Sequence, residues 1–269
     1  MSIAILGVGM MGEALLSGMI DAGWKPEEIR AVDTRAPQRE AIKAKYGVFV
    51  SADIAETVEN VDTVLIAVKP QDLFEVIEVA CPHMKPSCLI ISVVAGVSTA
   101  TIEHHLVMDR PVVRVMPNTA SLVGQGMSAL ARGSNTTKDQ IAQAQKIMEA
   151  VGKVVVVPEK YLDAVTAISG SGMAYLMYVA ESMIDGGVML GLPRSVSTEL
   201  VKQTIFGAGS LLMHDDEHPT VLRENVTSPG GTTAAALRVL EERGVKAAFI
   251  SAIEAAAKRS EEIGRAQAS

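Results

Sequence analysis

Gly7, Gly9 and Gly12 stand in the spacing G-x-G-x-x-G, between an apolar run, Ile3–Leu6, and a segment with helical spacing over 13–20. In that setting the first glycine makes a tight turn. The second lets the backbone approach a pyrophosphate, and the third lets the helix pack on the strand. Free amides at the helix start would face the anion. Gly7, Val8, Gly9, Met10, Met11 and Gly12 are therefore candidate ligands of a dinucleotide. A second glycine-rich stretch, Ser228-Pro229-Gly230-Gly231-Thr232-Thr233, directly precedes another predicted helix. Its amides and hydroxyls could hold a small carboxylate without a lysine or arginine. The same composition also serves as an ordinary helix N-cap. A third interruption is Ser169-Gly170-Ser171-Gly172. No H-E-x-x-H or G-x-S-x-G is present; His104 and His105 fall on a predicted surface helix, and His214 and His218 flank an acidic loop. Hydride transfer needs neither a nucleophile nor a metal, so a reductase without a metal site is expected.

The elements that would position these residues come next. Ile29–Val32 reads as a second strand and ends at Asp33-Thr34-Arg35. Asp33 favours a ribose hydroxyl and hence NAD, whereas Arg35 favours the 2′-phosphate of NADP. The apolar run over 62–68 has the pattern of a strand buried on both faces of a parallel sheet, and runs into Lys69-Pro70-Gln71. Carboxyl ends of such strands line the ligand crevice, so Lys69 points at the cofactor region, unless it is a solvated loop lysine. Strands follow over 89–94 and Val112–Met116, the latter leading into Asn118, a crevice residue or a turn asparagine. Glycines at 124, 126 and 133 mark loops before a helix over 137–151 and a last strand over 153–157. Alternating strands and helices give a mostly parallel sheet covered on both faces. After Pro158 no strand-like run remains. Helices are expected over 161–190, around the interruption at 169–172, and then over 194–214, 232–243 and 245–263. The division is an α/β domain over 1–158 and an all-α domain over 159–269. The many small residues of the helical part suit a bundle completed by a partner subunit.

The bulk properties narrow the classes. The chain has 269 residues, 48% hydrophobic and 20% charged, with a net charge of -7 and only 3% aromatics. Neither nucleic acid nor an anionic membrane is an expected partner. No apolar run approaches the ~20 residues of a membrane span. Cys81 and Cys88 are expected as reduced thiols. With the glycine turn starting at residue 7, a cytoplasmic protein without a cleaved leader is expected.

Seven blocks, taken in order, carry a resemblance: Gly7-Val8-Gly9-Met10-Met11-Gly12, Ala67-Val68-Lys69-Pro70-Gln71, Met116-Pro117-Asn118-Thr119, 169–172 with Ala174-Tyr175, Gly191-Leu192-Pro193-Arg194, His218-Pro219, and 226–233. Over essentially its whole length the sequence resembles the pyrroline-5-carboxylate reductases. The resemblance implies an N-terminal Rossmann-type dinucleotide-binding domain and an all-α C-terminal dimerisation domain. It implies reduction of 1-pyrroline-5-carboxylate to L-proline, the last step of proline synthesis, by NADPH with NADH as an alternative donor. The implied assembly is a homodimer, extended in the family to a decamer of five dimers, with each active site between the dinucleotide domain of one subunit and the helical domain of its mate. By the same carry-over Ser228, Gly230, Gly231, Thr232 and Thr233 hold the substrate carboxylate. Thr233 bonds the ring nitrogen as a proton donor, and Thr166 and Ser169 line the same pocket. Lys69 and Asn118 border the nicotinamide, and Thr34, Arg35, Ala67, Val68 and Pro70 are further cofactor-binding residues. Protonating the imine makes its carbon a better hydride acceptor, which a positioned hydroxyl can assist. Met173 and Ala120 depart from the family's prolines, and Ile54 from its asparagine. A β-hydroxyacid dehydrogenase would need a lysine early in the helical domain, which the 169–178 stretch lacks, and a non-catalytic dinucleotide sensor would not need the 228–233 loop.

Overall fold

The computed structural model describes residues 1–106, 108–214 and 216–268. Eight strands form one sheet: β1 (Ile3–Leu6), β2 (Ile29–Val32), β3 (Phe49–Ser51), β4 (Thr63–Ile66), β5 (Leu89–Ser92), β6 (Val112–Met116), β7 (Gly126–Arg132) and β8 (Gly152–Val156). Their order is β3-β2-β1-β4-β5-β6-β7-β8. All neighbours are parallel except β6 and β7. The order reverses between β1 and β4, where a doubly wound sheet opens its ligand crevice.

Alternation along β1 explains why both faces are covered. Ile3 and Ile5 enter one core with Leu15, Leu16, Met19 and Ile147. Ala4 and Leu6 enter the other with Val64, Ile77, Ile90 and Ile102. Successive strand side chains point to opposite faces, so a continuous apolar run needs helices on both sides. Those helices are α1 (Met10–Asp21), α2 (Ala36–Tyr46), α3 (Ile54–Val58), α4 (Leu73–Ala80), α5 (Thr99–His105) and α6 (Lys138–Met148). Their starts follow local chemistry. Asp53 and Ser98 accept from the amides of Glu56 and Thr101, and Thr137 forms a capping box with Gln140. Gly47 ends α2 in the left-handed region, which favours glycine.

Two strands were not expected. β3 has only three residues. β7 has no β-branched residue, yet it is buried along most of its length and is held between β6 and β8. Pairing on both edges outweighs its weak strand propensity.

Cys81 and Cys88 are free and buried, and burial pushes the Cys88 thiol up to about 12. A thiol-specific chromogenic reagent at pH 8 should label neither cysteine in the native chain and both after denaturation. Fast labelling of native Cys88 would contradict this environment.

The chain divides into two compact units, one of residues 1–170 with 256–269 and one of 171–255. This differs from a boundary at Pro158, and two contacts explain the difference. The Glu159 carboxylate accepts from the Thr99 amide at 2.8 Å, the Thr99 hydroxyl at 2.6 Å and Arg114 Nη1 at 3.1 Å. Ser260 Oγ donates to Asp163 Oδ1 at 2.6 Å. Residues just past Pro158 are thereby bonded to the first unit, as is the end of the last helix. In this unit the helical run begins with α7 (Leu162–Val165) and widens into a π turn over Thr166–Gly170. The expected interruption at 169–172 is thus a change of winding, with helix resuming at once.

The second unit contains α8 (Gly172–Met189), α9 (Arg194–His214), α10 (Pro219–Asn225), α11 (Thr232–Glu242) and the start of α12 (Val245–Ala268). α10 was not expected; it is one short helix capped by His218, whose Nδ1 accepts from the Thr220 amide at 3.2 Å. Asp215, in the acidic loop before it, lies outside the described residues. α8 and α9 pack closely where Ser197 Oγ bonds the Ile184 carbonyl at 2.8 Å, opposite Gly187. Few other side chains are buried here, and Leu176, Met177, Leu200, Phe206 and Leu211 stand exposed on the single chain. Among the described residues no helix is long and apolar enough to cross a membrane.

Candidate active site

The glycine turn has the geometry its spacing required. Gly7 sits at φ 91°, and a Cβ there would come within 2.9 Å of the Ala67 carbonyl oxygen. A Cβ on Gly12 would overlap the Gly7 carbonyl oxygen, whereas one on Gly9 would meet nothing within 4 Å. Gly9 caps α1 without a side-chain bond, and the Glu13 amide makes its bond to the Gly9 carbonyl at 2.8 Å. The amides of Met10, Met11 and Gly12 thus have no intrahelical partner. Open space at Gly9 beside an uncapped helix start fits a pyrophosphate.

At the end of β2 the two conflicting cofactor signals form one ion pair. Asp33 Oδ1 accepts from Arg35 Nε at 3.0 Å and from the Arg35 amide at 2.9 Å; Oδ2 accepts from Nη2 at 3.0 Å. Asp33 is buried, which pushes its pKa up. Its bonds to Arg35 and to the Val8 amide outweigh burial, and the carboxyl ends below the usual range. The carboxylate therefore keeps hold of the guanidinium at neutral pH and loses it only as pH falls through that lowered value. Thr34 and Arg35 are exposed, and Arg39 Nη1 braces the loop through the carbonyls of Asp33 at 2.8 Å and Thr34 at 2.9 Å.

The turn after β4 lies beside the glycine turn. The Ala67 amide donates to the Leu6 carbonyl at 2.8 Å, and Val68 packs against Gly7. Lys69 is exposed and precedes a 3₁₀ turn starting at Pro70. Asn118, at the end of β6, is buried. Its Oδ1 accepts from the Met127 amide at 3.1 Å, and its Nδ2 donates to the Ser169 carbonyl at 3.3 Å and lies 3.4 Å from Ser169 Oγ. Asn118 thus clamps β6, β7 and the π turn together. Ser169 and Thr166 are half-buried on that turn, with the Thr166 hydroxyl bonded to the Leu162 carbonyl at 2.8 Å. Single π turns recur at functional sites because the extra residue re-aims side chains.

In the second unit, Ser228, Gly230, Gly231, Thr232 and Thr233 lie together at the start of α11. Gly230 is at φ 68°, the Gly231 amide returns to the Ser228 carbonyl at 3.0 Å, and Gly231 caps the helix with no side-chain bond. Glycine at an N-cap has no side chain to occupy the first amides. The missing cap leaves the first amides of α11 available to an outside anion. Ser228 and Thr232 are exposed, and Thr233 is half-buried.

Around Glu13 lie residues with no spacing signal in the sequence: Gln38, Lys45 and Tyr46 all reach its carboxylate. The one available cue was chemical, a carboxylate on the first turn of a helix meant to receive a pyrophosphate. Among the described residues no cluster of His, Cys, Asp and Glu could hold a metal.

Comparisons with known proteins agree with this geometry. Residues 2–96 match the family described as NADP oxidoreductase coenzyme F420-dependent, and residues 159–263 match pyrroline-5-carboxylate reductase dimerisation. The chain is 42% identical to the pyrroline-5-carboxylate reductase of Synechocystis sp., covering 98% of both chains. It is also 42% identical to that of Methanosarcina acetivorans, again over 98% of each. Among solved structures, a pyrroline-5-carboxylate reductase from Coxiella burnetii superposes with a TM-score of 0.94 at 34% identity, over 97% of this chain and 98% of that one. The Plasmodium falciparum pyrroline carboxylate reductase with NADP bound superposes at 0.85 and 32% identity, over 98% of each. A doubly wound sheet with an open glycine turn, an uncapped glycine–threonine helix start and full-length identity at this level lead to one assignment: the chain belongs to the pyrroline-5-carboxylate reductase family.

Proposed function

We propose that the chain reduces 1-pyrroline-5-carboxylate to L-proline with NADPH, accepting NADH as an alternative donor. The observation that carries this reading is the uncapped helix start at 228–233, an anion site in a chain that also holds a dinucleotide turn. The amides of 9–12 hold the pyrophosphate, Thr34 and Arg35 hold the adenosine end, and Ala67, Val68, Lys69, Pro70 and Asn118 border the nicotinamide. Ser228, Gly230, Gly231 and Thr232 hold the substrate carboxylate without a cationic side chain. The Thr233 hydroxyl bonds the ring nitrogen, as donor to the neutral imine and as acceptor once that nitrogen carries the proton. Thr166 and Ser169 are further catalytic residues. The bound cofactor supplies a hydride to the imine carbon. The chain's own groups orient that carbon and stabilise positive charge on nitrogen.

In this reading residues 1–158 bind the dinucleotide and 159–269 bind substrate and a second copy. The partner is a homodimer mate, and five dimers can close into a decamer. No nucleic acid or membrane takes part, and the enzyme works in the cytoplasm. Turnover is tested by following loss of reduced-nicotinamide absorbance with 1-pyrroline-5-carboxylate, first with NADPH and then with NADH. Fast oxidation is expected; cofactor binding without turnover would discard the assignment.

Arg35→Ala separates the two donors. It removes charge-assisted bonds worth ~1.5–3 kcal/mol, so the KM for NADPH should rise by ~10–100-fold. The KM for NADH should stay within about threefold, within the scatter of an exposed substitution. Equal increases for both donors would remove the 2′-phosphate role of Arg35.

A further inference from the structure

Val8 sits between the first two glycines of the turn and is fully buried. Its carbonyl accepts a hydrogen bond from Gln38 Nε2 at 2.7 Å. In a trans peptide the C=O and the following N–H point in opposite directions. Fixing the Val8 carbonyl therefore fixes the direction of the Gly9 N–H, on the side away from Gln38. The amide on the other side of Val8 is tied too, because it helps to keep Asp33 ionised. Both peptide groups of Val8 are thus anchored in the segment over 33–38, which also carries Arg35.

Gln38 is itself held. Its Nε2 lies 3.4 Å from Glu13 Oε2, while Glu13 Oε1 accepts from Lys45 Nζ at 2.9 Å and Tyr46 Oη at 3.0 Å. Facing a carbonyl and a carboxylate, the Gln38 carboxamide can present only its NH₂ group. The bond from Lys45 lowers the Glu13 pKa; burial opposes it, and Tyr46 and Gln38 add to the lowering. Glu13 is therefore charged at neutral pH. Its charge sits on the turn of α1 that faces the anion, and the Lys45 ammonium answers it.

We propose that Gln38, oriented by Glu13, is a positioning residue that aims the Gly9 amide at the cofactor pyrophosphate. The proposal rests on the dinucleotide role given to the glycine turn above. It adds a residue outside the glycine fingerprint that sets affinity for NADPH and NADH alike, since both share the pyrophosphate.

The test measures dinucleotide affinity by calorimetry, without imine, in the full chain. Gln38→Met keeps length but has no donor, and should raise the Kd of both dinucleotides about tenfold. Gln38→Glu faces two acceptors with a third and should raise it at least as much. Gln38→Lys restores a donor to the Val8 carbonyl and should return the Kd to within about threefold of wild type. The KM for imine should not move in any of these variants. Melting temperature checks that each variant is folded. Should the Met variant fail to fold, Gln38→Leu, likewise without a donor, should still raise the Kd of both dinucleotides about tenfold. Unchanged affinity in the Met and Glu variants overturns the proposal, as does a Lys variant as weak as Met, or a loss confined to NADPH. Wild-type binding without turnover removes only the reductase assignment. A wild-type chain that binds neither dinucleotide removes both.

Discussion

Thr233→Ala should lower kcat by about 100-fold, at the lower end of what a positioned proton donor contributes. The Kd for NADPH should stay within about twofold, because the dinucleotide amides lie in another part of the chain. The reason is local. Thr198, Thr204 and Thr227 bond their hydroxyls to the carbonyls of Arg194, Leu200 and Arg223, four residues back. Thr233 is the second residue of α11, with no helical carbonyl four residues behind it. Its hydroxyl is directed by position rather than by a backbone partner. Thr233→Ser should keep most of the rate, and Thr233→Val, with the shape but no hydroxyl, should behave like alanine. Steady-state kinetics with saturating NADPH decide the matter. A valine variant with wild-type turnover would take Thr233 out of the mechanism.

The second large effect is a contrast between neighbouring glycines. At Gly9 an added Cβ meets no atom within 4 Å, and the backbone there is extended, at φ -71° and ψ -162°. Gly9→Ala should leave stability within about 0.5 kcal/mol. It should nevertheless raise the Kd for dinucleotide by about 100-fold or more, because the methyl group occupies the approach of the pyrophosphate. At Gly12 the added Cβ overlaps the Gly7 carbonyl oxygen, which is backbone and cannot swing aside. Gly12→Ala should cost about 3 kcal/mol of stability. One variant loses ligand and keeps fold; the other loses fold first. Thermal melts beside calorimetric titrations read both. Wild-type affinity in Gly9→Ala would mean that the pyrophosphate does not cross that residue.

The sheet was largely legible because its central strands are buried on both faces, which leaves continuous apolar runs such as those over 64–66 and 89–91. β7 escaped notice because its strand character comes from two neighbours and not from its own residues. The helix start at α11 could be read from glycine and threonine, but whether a side chain capped it could not, since that depends on which atoms meet. Asn118 was placed by its position at a strand end; its use as a clamp on Ser169 depends on a contact 51 residues away. The Asp33–Arg35 pair looked like two competing preferences. Spacing suggested both residues for the adenosine end, and only geometry showed them bonded to each other. Glu13, Gln38, Lys45 and Tyr46 lie on two helices, with no shared period to reveal them.

The helical unit bears on how the protein survives dilution. Within α8, α10 and α11 no residue is buried, and α9 contributes only Ser197 and Val201. A bundle so poor in interior cannot balance the ordering entropy of its own chain, at ~1–2 kcal/mol per residue. Its folding free energy must then be drawn from association, which makes it subject to mass action. The midpoint of unfolding should climb with protein concentration, and transfer to a very dilute solution should inactivate the enzyme with no change of temperature or denaturant. In a cell, the expression level would then set how much of each chain is folded as well as how much is made.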